Sequence, residues 1–352
     1  MMGSFSALLA LCLIALPIAA QSQDAYLVLE HSGGVVTASW NPAETQILTG
    51  AQNGLAQIWS AEDGTLLQSI DHDGQPLTQA LWSEDGRSIL SADESGLIKQ
   101  SRAEDGEGIY AWQVDGMPIQ LVLDADGTRA FVFTANGKGS VLSLIDGGIL
   151  ATVERSGAIV GAGWSADGSQ VRAWSEDGRI VAWDATTGEN VATYSLPHRA
   201  LLQGLQWNND DTRLLGWFAD GTVAVYETDG ASISGRSLAG VRHRSFAQRA
   251  IWSADETRVM SWAADDTVHV WRVADSQSQL VLRHEDWVVG ARWDPAEARV
   301  LSWSHIYLYL WEGETLQNRF QHGNLVRGAV WNEAATQILS WSWDGTARVW
   351  SP

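Results

Sequence analysis

Hydrophobic and polar positions alternate along this chain in short runs broken by tight polar turns. The clearest case is ILSWSWDGTARVW (338–350), in which two alternating segments flank Asp344 and Gly345, the pattern of two β-strands joined by a hairpin turn. The same segment returns as ILTGAQNGLAQIW (47–59), VRAWSEDGRIVAW (171–183), LLGWFADGTVAVY (214–226) and VMSWAADDTVHVW (259–271). Ahead of each hairpin stands another apolar segment closed by tryptophan: Trp40, Trp82, Trp164, Trp207, Trp252, Trp293 and Trp331, with Leu123 in the third place. Their spacings, 42, 41, 41, 43, 45, 41 and 38 residues, define eight repeats. One more apolar run precedes each, such as SQLVLRH or TLLQSIDH, so the pattern predicts four strands per repeat.

Nine residues before most of these tryptophans lies a histidine (His31, His198, His243, His284, His322), with His72 ten before and Asp115 and Arg155 in that place in repeats three and four. The repeated His, Ser, Asp and Trp positions resemble the WD-repeat family of β-propellers, over essentially the whole chain past residue 20. The resemblance implies an all-β, eight-bladed propeller of four-stranded antiparallel blades. It also implies a structural hydrogen-bonded chain in the repeats that carry the full set: His243, Ser261, Asp265 and Trp271, and His322, Ser340, Asp344 and Trp350. Other repeats depart from it. Repeat three has Val132 and Leu142 where Ser and Trp belong, repeat two ends on Ser101, and repeat seven is one residue short in its turn. The last repeat stops after three strands while AYLVLE (25–30) precedes the first, so this N-terminal strand is expected to close the blade built from 326–350.

A chain of 352 residues, 45% hydrophobic and 18% charged, suits an ordered globular protein. Ala7 to Ala20 is apolar, too short to cross a bilayer and ends in small residues. We read 1–20 as a secretory signal peptide and 21–352 as a single propeller domain, secreted or periplasmic, with no membrane span once the signal is removed. The lone cysteine, Cys12, leaves with the signal, which excludes disulfides and thiol chemistry from the mature chain. A formal charge of -20 argues against nucleic acid or anionic lipid as a partner.

His322, Ser340 and Asp344 are the residue types of a hydrolase triad, but the set recurs in separate blades, and a repeated buried network is a packing device. The histidines, spread one per blade, cannot converge on a metal ion, and turns such as DADGTR lack the ligand run of a calcium loop. We therefore expect no catalytic, cofactor or metal site, and a non-enzymatic scaffold that binds a protein or peptide. Two alternatives stand beside it: a propeller enzyme of the quinone-dependent dehydrogenase type, whose docking motif WDATTGENV (183–191) resembles slightly, and a structural envelope component.

Two features bear on a partner site. The longest repeat spacing falls around SGRSLAGVRHRSFAQR (234–249), a dense basic stretch including Arg244 and Arg249, which is either a solvated strand edge or an anionic docking site. Seventeen of the 20 tryptophans recur at strand positions of the repeat, leaving Trp112, Trp287 and Trp343. Trp343 precedes a turn, and Trp287 lies three residues past His284, where sister repeats have Leu201, Phe246 and Leu325. These five residues are expected to form an apolar arc over blades five to eight, of the kind that marks binding surfaces.

Overall fold

The computed structural model describes residues 24–352 except 156, 158, 230 and 231; the expected signal segment, 1–20, lies outside the described residues. The chain folds into eight four-stranded antiparallel sheets. Seven are consecutive meanders, beginning at Val35–Trp40, Leu77–Trp82, Pro118–Leu123, Ile159–Trp164, Leu202–Trp207, Ala247–Trp252 and Val288–Trp293; we number these blades 1 to 7. The first strands neighbour one another around the ring and form its inner wall.

Turn chemistry sets the hairpins. The tight turn between second and third strands needs a residue with positive φ, which glycine adopts without a Cβ penalty. Gly54, Gly178, Gly221 and Gly345 supply it at φ of 84°, 77°, 86° and 80°. In blade 6 Asp266 takes the same conformation at φ 65°, and in the shortened turn of blade 7 His305 does so at φ 48°.

Each hydrophobic cluster sits between two blades, so neither buries its faces alone. Between blades 5 and 6, Leu215, Trp217, Val223 and Val225 pack with Ala247, Ala250, Val259 and Trp271. A second kind of contact ties the ring together. An arginine on the second strand of one blade stacks over the tryptophan ending the first strand of the next: Arg129 on Trp164 (4.6 Å), Arg172 on Trp207 (4.6 Å), Arg213 on Trp252 (5.4 Å), Arg258 on Trp293 (5.6 Å) and Arg299 on Trp331 (4.6 Å). Each such contact contributes about 0.5–1 kcal/mol or more when desolvated. Cross-blade ion pairs reinforce three of them: Arg172 with Asp211, Arg213 with Glu256 and Arg258 with Glu297.

Blade 8 closes the ring as the sequence predicts. It holds Val326–Trp331, Ile338–Ser342, Thr346–Trp350 and the N-terminal strand Leu27–Glu30. Leu27, Val28, Leu29 and Glu30 pair antiparallel with Val349, Arg348, Ala347 and Thr346, and the backbone N–H groups of Tyr26 and His31 extend the ladder to the carbonyls of Val349 and Gly345. Leu29 is completely buried among Val35, Ile47 and Trp59 of blade 1 and Leu339 and Val349 of blade 8.

The extra length between repeats five and six occupies 228–238, between the third and fourth strands of blade 5, at the front of the basic stretch rather than through it. There Thr228 and Ile233 form an isolated bridge before the short strand Ala239–Arg242.

Candidate functional site

The two repeats with the full polar set do not build the same network. In blade 8 the chain is continuous: His322 Nδ1 meets Asp344 at 3.0 Å, its Nε2 meets Ser340 Oγ at 2.8 Å, and the Trp350 indole N–H donates to the same Oγ at 2.8 Å. In blade 6 His243 reaches Ser261 at 2.9 Å and Asp265 at 3.3 Å, but the Trp271 indole N–H, fully buried, has no partner. His72 in blade 2 bonds Asp93 and Ser91, both at 2.7 Å, with Ser101 in place of the tryptophan. In blade 4 Arg155 stands in for histidine and donates to Ser175 Oγ at 2.6 Å. Each set links the connection entering a blade to that blade's own hairpin. Trp112, unexplained by the repeat, is also structural: it is buried and donates to the Gly147 carbonyl at 2.8 Å.

Burial holds several histidines neutral. His31, His269 and His284 are each lowered to about 4, chiefly because burial penalises the imidazolium; for His269 the nearby His243 adds to it. An unfolded histidine titrates near 6.5, so between about pH 6.5 and 4 the unfolded chain takes up protons that the folded chain refuses. Stability is therefore full above that window and falls as pH drops through it. Below it the loss continues, because Asp265 and Asp344, whose carboxylates are held ionised by hydrogen bonds from their histidines and threonines, must protonate. Urea midpoints measured from pH 7 to 4.5 should decline steadily; a flat profile would contradict the burial of these rings.

The apolar arc lies on the face formed by the turns between second and third strands and by the connections between blades. Trp287 and Trp343 are each 43% exposed, Leu201 52% and Phe246 37%, while Leu325 is half-buried. Three of these connections are pinned by backbone bonds from the hairpin turn of the same blade: Ala219 N–H to Leu201, Ala264 N–H to Phe246 and Trp343 N–H to Leu325. Leu201, Phe246, Leu325 and Trp343 are thus presented on a fixed frame. Among the described residues no ring contact joins Phe246, Trp287 and Trp343 to each other. The Trp343 ring is covered on one side by the Arg327 guanidinium at 4.9 Å, and it lies so close to Gly34 of blade 1 that a Cβ there would approach to 2.9 Å.

The structure separates the two arginines that the sequence groups together. Arg244 is exposed in the connection between blades 5 and 6, its backbone N–H bonded to Asp265 at 2.7 Å. Arg249 belongs to the inner strand Ala247–Trp252 and faces the channel. Neither is on an outer strand edge. It is paired in register with Trp262, where blades 4, 5, 7 and 8 oppose Trp174, Trp217, Trp303 and Trp341 with Gly161, Gly204, Gly290 and Gly328. Those glycines leave room for the indoles, since a Cβ on any of them would come within 2.1–2.6 Å of the ring. Arg292 and Arg327, which sequence reading did not single out, share the channel with Arg249.

Eight meandering blades and an N-terminal strand that completes the last of them define the fold, an eight-bladed β-propeller, and with the recurring His–Ser–Asp–Trp positions they make the chain similar to WD40-repeat propellers. The family model for "WD domain, G-beta repeat" matches residues 25–60. Among solved structures, the C-terminal WD40 domain of Sif2 superposes with a TM-score of 0.80 at 16% identity, covering 95% of this chain and 99% of that one. Saccharomyces cerevisiae Sqt1 gives 0.80 at 13% identity, with coverage of 94% and 100%. The computationally designed Ika8 protein gives 0.79 at 19% identity, with coverage of 94% and 100%. No curated protein matches the chain. Propellers of this family are in general non-catalytic scaffolds that bind proteins. No helix among the described residues is long and apolar enough to cross a membrane.

Proposed function

We propose that this chain is a non-enzymatic scaffold, exported by its N-terminal apolar segment, that docks a protein or peptide partner on the face carrying Leu201, Phe246, Trp287, Leu325 and Trp343. The observation that carries the reading is the exposure of two tryptophans, each at 43%, on one face of a ring whose other tryptophans are buried or half-buried. Large exposed rings on a rigid frame supply contact area at little conformational cost, and tryptophan is over-represented among residues that dominate affinity. Arg244, exposed beside Phe246, extends the same face with a charge, and Arg249 lies inward of it.

Replacing both Trp287 and Trp343 by Ala tests the reading. The melting temperature should stay within about 2 °C, as for exposed positions. Affinity capture from the envelope fraction of the source organism, compared between wild type and the double variant, should lose the specific partner. Capture that survives both changes would place the binding surface elsewhere, and a large fall in melting temperature would show that the rings serve packing.

A further inference from the structure

The eight inner strands are nearly free of charge. Across VVTASW, LTQALW, PIQLVL, IVGAGW, LQGLQW, AQRAIW, VVGARW and VRGAVW there is no Asp, Glu, Lys or His, and the only ionised side chains are Arg249, Arg292 and Arg327. In a chain with 42 acidic residues, three cations and no carboxylate on the inner strands run against the overall balance. They stand on the adjacent blades 6, 7 and 8 and line one cavity of about 630 Å³. They occupy the third, fifth and second positions of their strands, so they are staggered along the channel by up to about 10 Å at the usual strand rise.

None of the three has an ion-pair partner among the described residues. The two carboxylates in the cavity wall, Asp294 and Glu297, are already taken: Asp294 pairs with Arg299 at 2.9 Å, and Glu297 pairs with Arg258 and caps the Ala254 N–H at 2.5 Å. The guanidiniums keep contact with the open channel but are crowded enough that burial lowers all three from the usual arginine value; for Arg292 the charge of Arg249 adds to it. They remain cationic at neutral pH. Three guanidiniums held close together with no counter-charge are matched by a ligand that brings oxyanions.

We propose that the central channel between blades 6 and 8 binds a small ligand carrying at least two oxyanion charges, phosphate or carboxylate, bound by Arg249, Arg292 and Arg327. The cavity takes a compact di- or trianion, and the staggered guanidiniums reach separate oxyanion groups. This site is independent of the docking arc, since it requires neither Trp287 nor Leu201. Only Arg327, through its stack on Trp343, touches both.

The test is calorimetric titration of the full chain at low salt with three probes: sodium tripolyphosphate, citrate and an acetylated Gly-Glu-Glu-Gly peptide. The expected result is one saturable site whose affinity falls as salt is raised. Arg249→Gln combined with Arg292→Gln should weaken it by about tenfold or more, the scale for losing charge-assisted pairs, and Arg292→Gln alone should weaken it less. The ligand-free melting temperature of the double variant should be unchanged or higher, because like charges have been removed. Arg87→Gln, on an 87% exposed side chain in a turn of blade 2, should bind as wild type. Tighter binding of the inorganic and citrate anions than of the peptide supports a free metabolite-sized ligand; tighter binding of the peptide overturns the small-ligand assignment in favour of acidic side chains of a polypeptide. No binding of any probe, or undiminished binding by the double variant, overturns it.

Discussion

Removing Asp24–Glu30 should lower the melting temperature by roughly 10 °C, the largest single effect expected from any short change to this chain. The segment contributes a whole strand. Four residue pairs join it to Thr346–Val349, with flanking backbone bonds from Tyr26 and His31, and Leu29 fills the junction between blades 8 and 1 with no exposed surface. Losing one such buried leucine costs about 2–5 kcal/mol. The deletion would also strip the outer edge of Thr346–Trp350, leaving unpaired groups that invite edge-to-edge association. Thermal unfolding with light scattering measures both consequences. A selective control is available within the strand: Val28 is exposed, so Val28→Ser should be nearly silent, whereas Leu29→Ala should reproduce much of the deletion. A deletion variant that melts like wild type would mean that the ring is not held shut by this strand.

The blades were legible because the repeat places one kind of residue at one kind of position. Trp40, Trp82, Trp164 and their sisters mark the ends of first strands, and the surplus segment 25–30 announces how the ring closes. Contacts between blades were not legible by the same means. Arg129 and Trp164, or Arg299 and Trp331, belong to different positions of different repeats, and only the angular offset between neighbouring blades brings them together. The channel arginines show the same limitation from the other side. Read along the chain, Arg249 falls in with Arg236, Arg242 and Arg244, because charge density is judged over neighbouring residues. In the ring its neighbours are Arg292 and Arg327, each more than thirty residues further on, reached because first strands of successive blades stand side by side. The signal was present in VVGARW and VRGAVW, where a lone charge interrupts a strand otherwise apolar or small. Trp287 and Trp343 stand out by a different route: of the three tryptophans with no counterpart in sister repeats they are the two that are exposed, while the third, Trp112, is buried.

Repeats six and eight carry identical polar residue types, yet they should respond very differently to loss of their third-strand tryptophan's N–H. Trp350→Phe removes a donor to Ser340 Oγ at 2.8 Å inside a network that continues to His322 and Asp344, leaving a buried hydroxyl with an unfilled acceptor site. The expected cost is about 1–3 kcal/mol beyond the change in packing. Trp271→Phe removes a buried N–H that has no partner, so the loss of packing is offset by relief of that unpaired donor, and its cost should be smaller by about 1 kcal/mol or more. Truncation to alanine sets the scale for both. Trp350 packs against Phe320 at 5.2 Å and His322 at 5.8 Å, and Trp350→Ala should cost about 3–5 kcal/mol, enough to weaken the blade that joins the two ends of the chain. Denaturant titration of the four variants separates the contributions: equal penalties for the two phenylalanine substitutions would mean that the indole N–H of Trp350 adds nothing to its ring, and that the hydrogen-bonded chain of blade 8 is no stronger than the interrupted one of blade 6.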